Sequence, residues 1–219
     1  MVRSDPRRVC YGSEPDYSDS ALAVYRHLLR TRDGLEHVWF LRDMGVADRV
    51  RREFEATAAP GHSLAIEPWG LRSYPAFIKS RFAFHTHGMF TFSPPRGERR
   101  SVSMWHGMPV KAVRHLHAGN DVVFDLPGTY QVTTSSFFHY TVAAAFHVDP
   151  SSVIMTGLPR TDVLKGLTEP SMDRETIAER LALDPARPWL LWTPTHRADP
   201  DFRGTAPPRT FLDAVDPTL

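Results

Sequence analysis

Arg8-Val-Cys-Tyr-Gly12, Asp16-Tyr-Ser-Asp19 and His37-Val-Trp-Phe-Leu41 follow one another in a single stretch, and their order decides the fold class. The first is a short apolar run that stops at a glycine. The second offers N-cap side chains ahead of a helical pattern, in which Leu22, Tyr25, Leu28 and Leu29 recur at i, i+3, i+6 and i+7 on one face of a 3.6-residue period. The third is again short, apolar and rich in strand formers. Strand, helix, strand is the pattern of a parallel sheet, because parallel neighbours need a long crossover and a helix supplies it.

The alternation continues outward. Val46 to Ala58 reads as a helix with a basic outer face, Ser63 to Glu67 as a strand and Tyr74 to Lys79 as a short helix. Phe82 to His85 and Val102 to Trp105 are strands separated by the turn-rich Ser93-Pro-Pro-Arg-Gly97. Tyr130 to Thr134 and Val153 to Thr156 are strands flanking a helix from Ser136 to Phe146, with Ser135 or Ser136 as its cap. Asp173 caps a helix to Leu183, and the fully apolar Trp189 to Thr193 reads as a strand buried on both faces. The expected fold is α/β, with a Rossmann-like, doubly wound, mostly parallel sheet whose ligand sites lie in loops at the strands' carboxyl ends. Past Thr195 the pattern is lost: residues 197–209 hold three prolines and one glycine without periodicity. That divides the chain into an expected lobe over residues 1–185 and the beginning of a second over 186–219.

Composition removes several function classes. With 42% hydrophobic and 23% charged residues the chain is neither disordered, collagen-like nor a coiled coil. A net charge of +1 lacks the basic excess that nucleic-acid wrapping requires. The one cysteine, Cys10, excludes a disulfide scaffold and Cys-rich metal centres, and its apolar neighbours make it a core residue. No secretory h-region follows the charged N-terminus, and no apolar run approaches the ~20 residues that span a bilayer. The expected location is the cytoplasm.

Three strand ends carry chemistry. Ser101-Val-Ser-Met-Trp-His-Gly-Met-Pro-Val-Lys111 runs from an apolar strand into Trp105, His106 and Gly107, then Pro109 and Lys111. A histidine there can take a proton near neutral pH, a glycine lets the backbone turn and approach a ligand, and a lysine can hold a phosphate. A capped turn with a hydrogen-bonded histidine is the plainer alternative. The second cluster, Val153 to Leu164, ends its strand at Gly157 and opens a short helix with Pro159 and Arg160, which also carries Asp162. Amides at a helix start favour anions, and Arg160 can add a bidentate phosphate contact or pair with Asp162. The third, Leu190 to Arg197, places Thr195, His196 and Arg197 after a Pro194 turn. His85 and His87 end a strand before Gly88 and face the same crevice as His106, which suggests acceptor binding.

Together these clusters resemble the CDP-glycerol glycerophosphotransferases of teichoic-acid synthesis and their capsule-polymerase relatives. The family's Trp-His-Gly-x-Pro-x-Lys matches Trp105 to Lys111, its Gly-x-Pro-Arg-x-Asp-x-Leu matches Gly157 to Leu164, and its Pro-Thr-x-Arg matches Pro194 to Arg197. Tyr17-Ser-Asp19 and Val38-Trp-Phe-Leu-Arg42 also look like the family's start. The resemblance implies a GT-B architecture of two Rossmann-like lobes, the first taking the acceptor and the second the nucleotide donor. It implies attack of an acceptor hydroxyl on the β-phosphorus of a CDP-alditol with release of CMP, and no cofactor or metal. His106 is then the general base, Lys111 holds phosphate charge beside it, and Gly157, Arg160, Asp162, Thr195 and Arg197 lie towards the donor phosphates. The implied partners are a CDP-activated donor such as CDP-glycerol, a lipid-linked glycerophosphate or glycan acceptor, and an anionic membrane surface on the inner face of the cell membrane.

The family's later His-Pro motif and serine-rich nucleotide segment do not occur in these residues, so the chain is expected to supply the acceptor lobe plus the entry to the donor lobe and not to turn over alone. Three other readings compete. The pairs His85-Thr-His87 and His115-Leu-His117 suggest a metal hydrolase, although no acidic residue flanks them and no His-Glu-x-x-His occurs. A lobe without its nucleotide site can serve as a binding subunit or be a truncated remnant. A nucleotide-sugar GT-B transferase or epimerase would keep the fold with another donor. Arg49, Arg51, Arg52, Arg96, Arg99 and Arg100 are candidates for contact with anionic lipid.

Overall fold

Seven parallel strands form one sheet in the order β3-β2-β1-β4-β5-β6-β7. The computed structural model describes residues 3–93, 95–110, 112–116, 129–165 and 173–191. The elements of the sheet unit are β1 (Asp5–Gly12), α1 (Asp19–Thr31), β2 (Glu36–Leu41), α2 (Ala47–Thr57), β3 (Ser63–Pro68), α3 (Tyr74–Lys79), β4 (Ser80–His85), β5 (Arg100–Ser103), β6 (Thr129–Thr133), α4 (Ser136–Phe146) and β7 (Val153–Met155). The chain adds strands outward from β1 to β3 on one side and from β4 to β7 on the other, so the strand order reverses between β1 and β4, the doubly wound arrangement expected from the sequence. At such a switch point the loops leaving the two strands diverge and open a crevice at the carboxyl edge.

Alternation along each strand sorts the core into two layers. Val9, Tyr11, Trp39, Leu41, Met104 and Val132 face α1 and α2, where Tyr25, Leu29 and Val50 meet them. Cys10, Val38, Phe40 and Ala83 face the other way, against Phe77 of α3 and Met89 and Phe90 of the loop after β4. Burial pushes the Cys10 thiol up to about 12, so it is the core residue expected. The first layer is dominated by an aromatic box: Trp39 lies 5.1 Å from Tyr11, 4.9 Å from Tyr17 and 5.5 Å from Tyr25, ring centre to ring centre.

One polar chain is threaded into this layer. Tyr11 Oη lies 2.9 Å from His37 Nδ1, His37 Nε2 lies 3.1 Å from His62 Nδ1, and His62 Nε2 lies 2.7 Å from the Arg32 carbonyl. A carbonyl only accepts, so the order follows: His62 donates from Nε2, His37 donates to His62, and Tyr11 donates to His37. Burial lowers His37 to about 4, so its ring is neutral in that network.

Several local expectations are corrected. Ser18 and Ser135 occupy the N-cap positions of α1 and α4 but neither side chain caps its helix. The Ser18 hydroxyl donates instead to the Pro15 carbonyl, and Asp19 Oδ1 accepts from the Ser20 amide. Asp16 is used elsewhere: its carboxylate accepts from the amides of Arg42 and Asp43, tying the exit of β2 to the exit of β1. Two compact units span residues 1–171 and 172–219, and helix α5 (Arg174–Leu181) belongs to the second. Asp173 caps α5, accepting from the Thr176 amide at 2.7 Å. The expected strand over Trp189 to Thr193 is not formed in its described part. Leu190 and Leu191 are 77% and 85% exposed, Trp189 stacks on the Arg174 guanidinium, and no strand among the described residues of that unit could pair with it. Its other residues, and the expected helix from Thr210, lie outside the described residues.

Candidate active site

The exits of β4 and β5 meet at the switch-point edge. The Met104 amide donates to the His85 carbonyl, and the Thr86 amide to the Gly12 carbonyl, so β1, β4 and β5 release their loops at one level. His87 and His106 then stack with ring centres 4.6 Å apart and planes 16° from parallel, and Trp105 packs against both rings, 4.1 Å from His106 and 6.1 Å from His87. Thr86 holds His87 through Oγ1 and Nδ1 at 2.9 Å. Trp105, not Gly107, makes the sharp turn: its φ is 50°, fixed by the ring's contacts with Phe146 at 4.9 Å and the Arg114 guanidinium at 5.3 Å. A side chain at Gly107 would meet nothing within 4 Å, so that position borders open space.

The second cluster reaches the same place from β7. Gly157 leaves the strand at φ 79° with its amide donating to the Thr133 carbonyl, and residues Pro159–Lys165 form a 3-10 helix. Arg160 there does not pair with Asp162. Its Nη1 donates to Asp19 Oδ2 at 2.8 Å and its Nη2 to the His106 carbonyl at 2.8 Å. Asp19 itself has φ 58°, a left-handed conformation that Asp and Asn tolerate. The guanidinium therefore ties the His106 turn to the start of α1. Asp19→Asn keeps the backbone preference but removes the charge, and should cost about 1–3 kcal/mol. Chemical denaturation reads the loss, and faster hydrogen exchange at Gly107 reads the loosened turn.

Electrostatics favour neutral imidazole here. Partial burial lowers His106 below its ordinary value, and His87, Arg160 and Arg114 lower it further against the opposing pull of Asp19. Burial likewise lowers His87. His85 does not join this stack: it is 4% exposed, lies 2.9 Å from Ser101 Oγ through Nε2, and is pushed to about 4 by burial and the nearby His87. His115 packs 5.2 Å from His147. Among the described residues no three His, Cys, Asp or Glu side chains converge as a metal site.

His85, His87, Trp105, His106, Gly107, Gly157, Arg160 and Asp162 are thus placed; Lys111, Thr195 and Arg197 lie outside the described residues. Asp19 and Arg114 also belong to the site, although the sequence alone does not place them there. Arg114 lies outside every motif of the sequence, whereas Asp19 sits inside one whose local reading is helix capping. Of the arginines expected at a membrane, Arg49 donates to the Tyr17 carbonyl, Arg51 pairs with Asp48, Arg99 covers Phe77 and Arg100 donates to the Gly97 carbonyl. No described helix is long and apolar enough to cross a membrane.

Solved structures of the wall teichoic acid polymerase TagF have this fold. One overlays with a TM-score of 0.62 at 16% identity, covering 83% of this chain and 46% of that one. A histidine-to-alanine variant gives 0.61 at 17% identity over 83% and 45%, and a variant soaked with CDPG gives 0.61 at 17% over 83% and 46%. The chain spans less than half the length of these structures. A search of curated proteins returned no significant match. Residues 1–209 match the family described as CDP-Glycerol:Poly(glycerophosphate) glycerophosphotransferase. By that match this chain is a member of the CDP-glycerol:poly(glycerophosphate) glycerophosphotransferase family.

Proposed function

We propose that this chain carries the acceptor side of a transferase that moves glycerol phosphate, or a related alditol phosphate, from a CDP-activated donor to a lipid-linked acceptor in teichoic-acid or capsule synthesis. The observation that carries the reading is His106: an imidazole whose pKa is lowered, stacked on His87 and packed beside Trp105, presented at the switch-point crevice of a member of this family.

The acceptor hydroxyl gives its proton to His106 as its oxygen bonds to the β-phosphorus of the donor. The bond from that phosphorus to the bridging oxygen breaks, and CMP leaves with the bonding electrons. Phosphoryl transfer is largely positioning and charge stabilisation, and Arg160 and Arg114 bring positive charge beside the base. Arg160 acts here by holding the His106 carbonyl; for the donor phosphates the motif match offers Thr195 and Arg197. A membrane-borne acceptor brings the chain to an anionic surface.

The test mixes the chain with CDP-glycerol and anionic vesicles bearing a glycerophosphate-primed acceptor, with and without a donor lobe from a full-length family member. The chain should sediment with the vesicles by itself, and CMP should appear only when the donor lobe is present. CMP release by the chain alone would overturn the division between lobes. Failure to sediment, or full turnover by His106→Ala, would overturn the acceptor-side assignment.

A further inference from the structure

Two imidazoles share the crevice, and a buried threonine settles which of them is free to take a proton. Thr86 is 0% exposed, and its amide donates to the Gly12 carbonyl where β1 and β4 end. Its Oγ1 accepts from the Glu14 amide at 3.3 Å and lies 2.9 Å from His87 Nδ1. A hydroxyl has one proton to donate as well as lone pairs that accept. Among the described residues no other acceptor is in reach of that oxygen, so its proton goes to His87 Nδ1. The reverse arrangement, with Nδ1–H donating to Thr86, strands the hydroxyl proton in a site closed to solvent. An unmade buried donor disfavours that arrangement by about tenfold or more.

The tautomer of His87 follows. Its Nδ1 accepts, so the ring proton sits on Nε2. That nitrogen has no partner among the described residues and, unlike His85 Nδ1, is not sealed from solvent. The ring lines both the cavity of Trp105 and Arg114 and the groove of Trp69, Leu71 and Phe92. The charges around it are balanced, with Glu14 and Asp19 against Arg42 and Arg114, so no ion pair holds it as a cation. His106 lies parallel to it at 4.6 Å, and the two rings offer their edges to one crevice.

We propose that His87 is a further catalytic residue, a neutral Nε2–H donor to a non-bridging oxygen of the phosphorus under attack, and that Thr86 is the positioning residue that fixes its tautomer. The inference rests on the transferase reading above and divides the labour between the two rings. His106 takes the proton of the attacking hydroxyl. His87 cannot, because its lone pair is occupied by Thr86, and it keeps its own proton throughout. Charge in phosphoryl transfer is spread over the equatorial oxygens, and a donor fixed before the reaction stabilises it without reorganisation.

Nitrogen-15 NMR spectra of the full chain, labelled at histidine, read the tautomer directly. At neutral pH His87 should be protonated at Nε2 and bare at Nδ1. Thr86→Val should give a mixture of tautomers, and Thr86→Ser should restore the wild-type pattern. A wild-type ring protonated at Nδ1 would overturn the lock. In the two-lobe assay His87→Phe keeps an aromatic ring against His106 but has no N–H. Its kcat should fall by about 10²-fold while KM for CDP-glycerol stays within about threefold. Thr86→Val should lower kcat about tenfold and Thr86→Ser should recover most of it; His87→Phe carries the test if Thr86→Val, which also strands the Glu14 amide, does not fold. An undiminished kcat in His87→Phe, or a change in KM alone, would overturn the donor role. Inorganic phosphate added to the chain by itself should move the His87 Nε2 proton downfield, and no movement would count equally against the role. Should the two-lobe assay release no CMP while tautomer and phosphate shift appear, the transferase reading fails and the His87 donor stands.

Discussion

His106→Ala should lower CMP release in the two-lobe assay by about 10²–10⁴-fold, the usual contribution of a positioned general base, while vesicle binding and the unfolding midpoint stay near wild type. The fold tolerates the change because His106 is exposed and its contacts are two ring stacks and a backbone carbonyl. That carbonyl survives the substitution, so Arg160 keeps its tether. The pH profile gives a second readout. A base works deprotonated, and burial, His87 and the two arginines lower His106 beneath 6.5. The rate should therefore be flat at neutral pH and fall only through a midpoint below 6.5. His87→Ala removes both cover and a neighbouring charge, so it should move that midpoint upward. An acid limb at or above 6.5 in the wild type, or no movement in the variant, would remove His106 from the role of base.

Acidification should destabilise the fold through His37 and His85. Each is buried and lowered to about 4 from an ordinary 6.5. Above pH 6.5 both are neutral whether the chain is folded or not, and their contribution is complete. As pH falls below 6.5 the unfolded chain takes up protons that the folded chain refuses, so stability drops until about pH 4, where the folded rings also charge. Shifts of this size correspond to roughly 3 kcal/mol per histidine at the limit. Against a typical total of ~5–15 kcal/mol the pair is enough to bring the domain close to acid unfolding. Urea titrations between pH 7 and 4 measure the slope. His37→Gln should cut it by about half whatever its effect on stability at pH 7, and an unchanged slope would remove His37 as the cause.

Most of the sheet was legible because its signals are local. A strand such as His37 to Leu41 and the helix before it each state their type within a few residues, and the strands and helices of the sheet unit fall close to where periodicity placed them, except that β5 runs from Arg100 to Ser103 rather than from Val102 to Trp105. The exception, Trp189 to Leu191, shows the limit: an apolar run specifies a strand only when a neighbouring strand is present to take its hydrogen bonds. The Trp105–His106–Gly107 turn was found from its residue types, yet the left-handed residue is Trp105, since packing on Phe146 and Arg114 outweighs glycine's freedom two positions on.

By itself, then, the sequence determined the α/β class, the family and the histidine at the end of β5, because these rest on periods and motifs confined to short stretches. Only the tertiary structure decided what each charged or polar side chain is for. Arg160 binds Asp19 across 141 residues rather than Asp162 two residues away, and His85 pairs with Ser101 while His87 joins the base. The physical reason is that partners are chosen by the register of strands and the packing of their exits, and neither distance nor burial across the sheet is encoded in neighbouring residues.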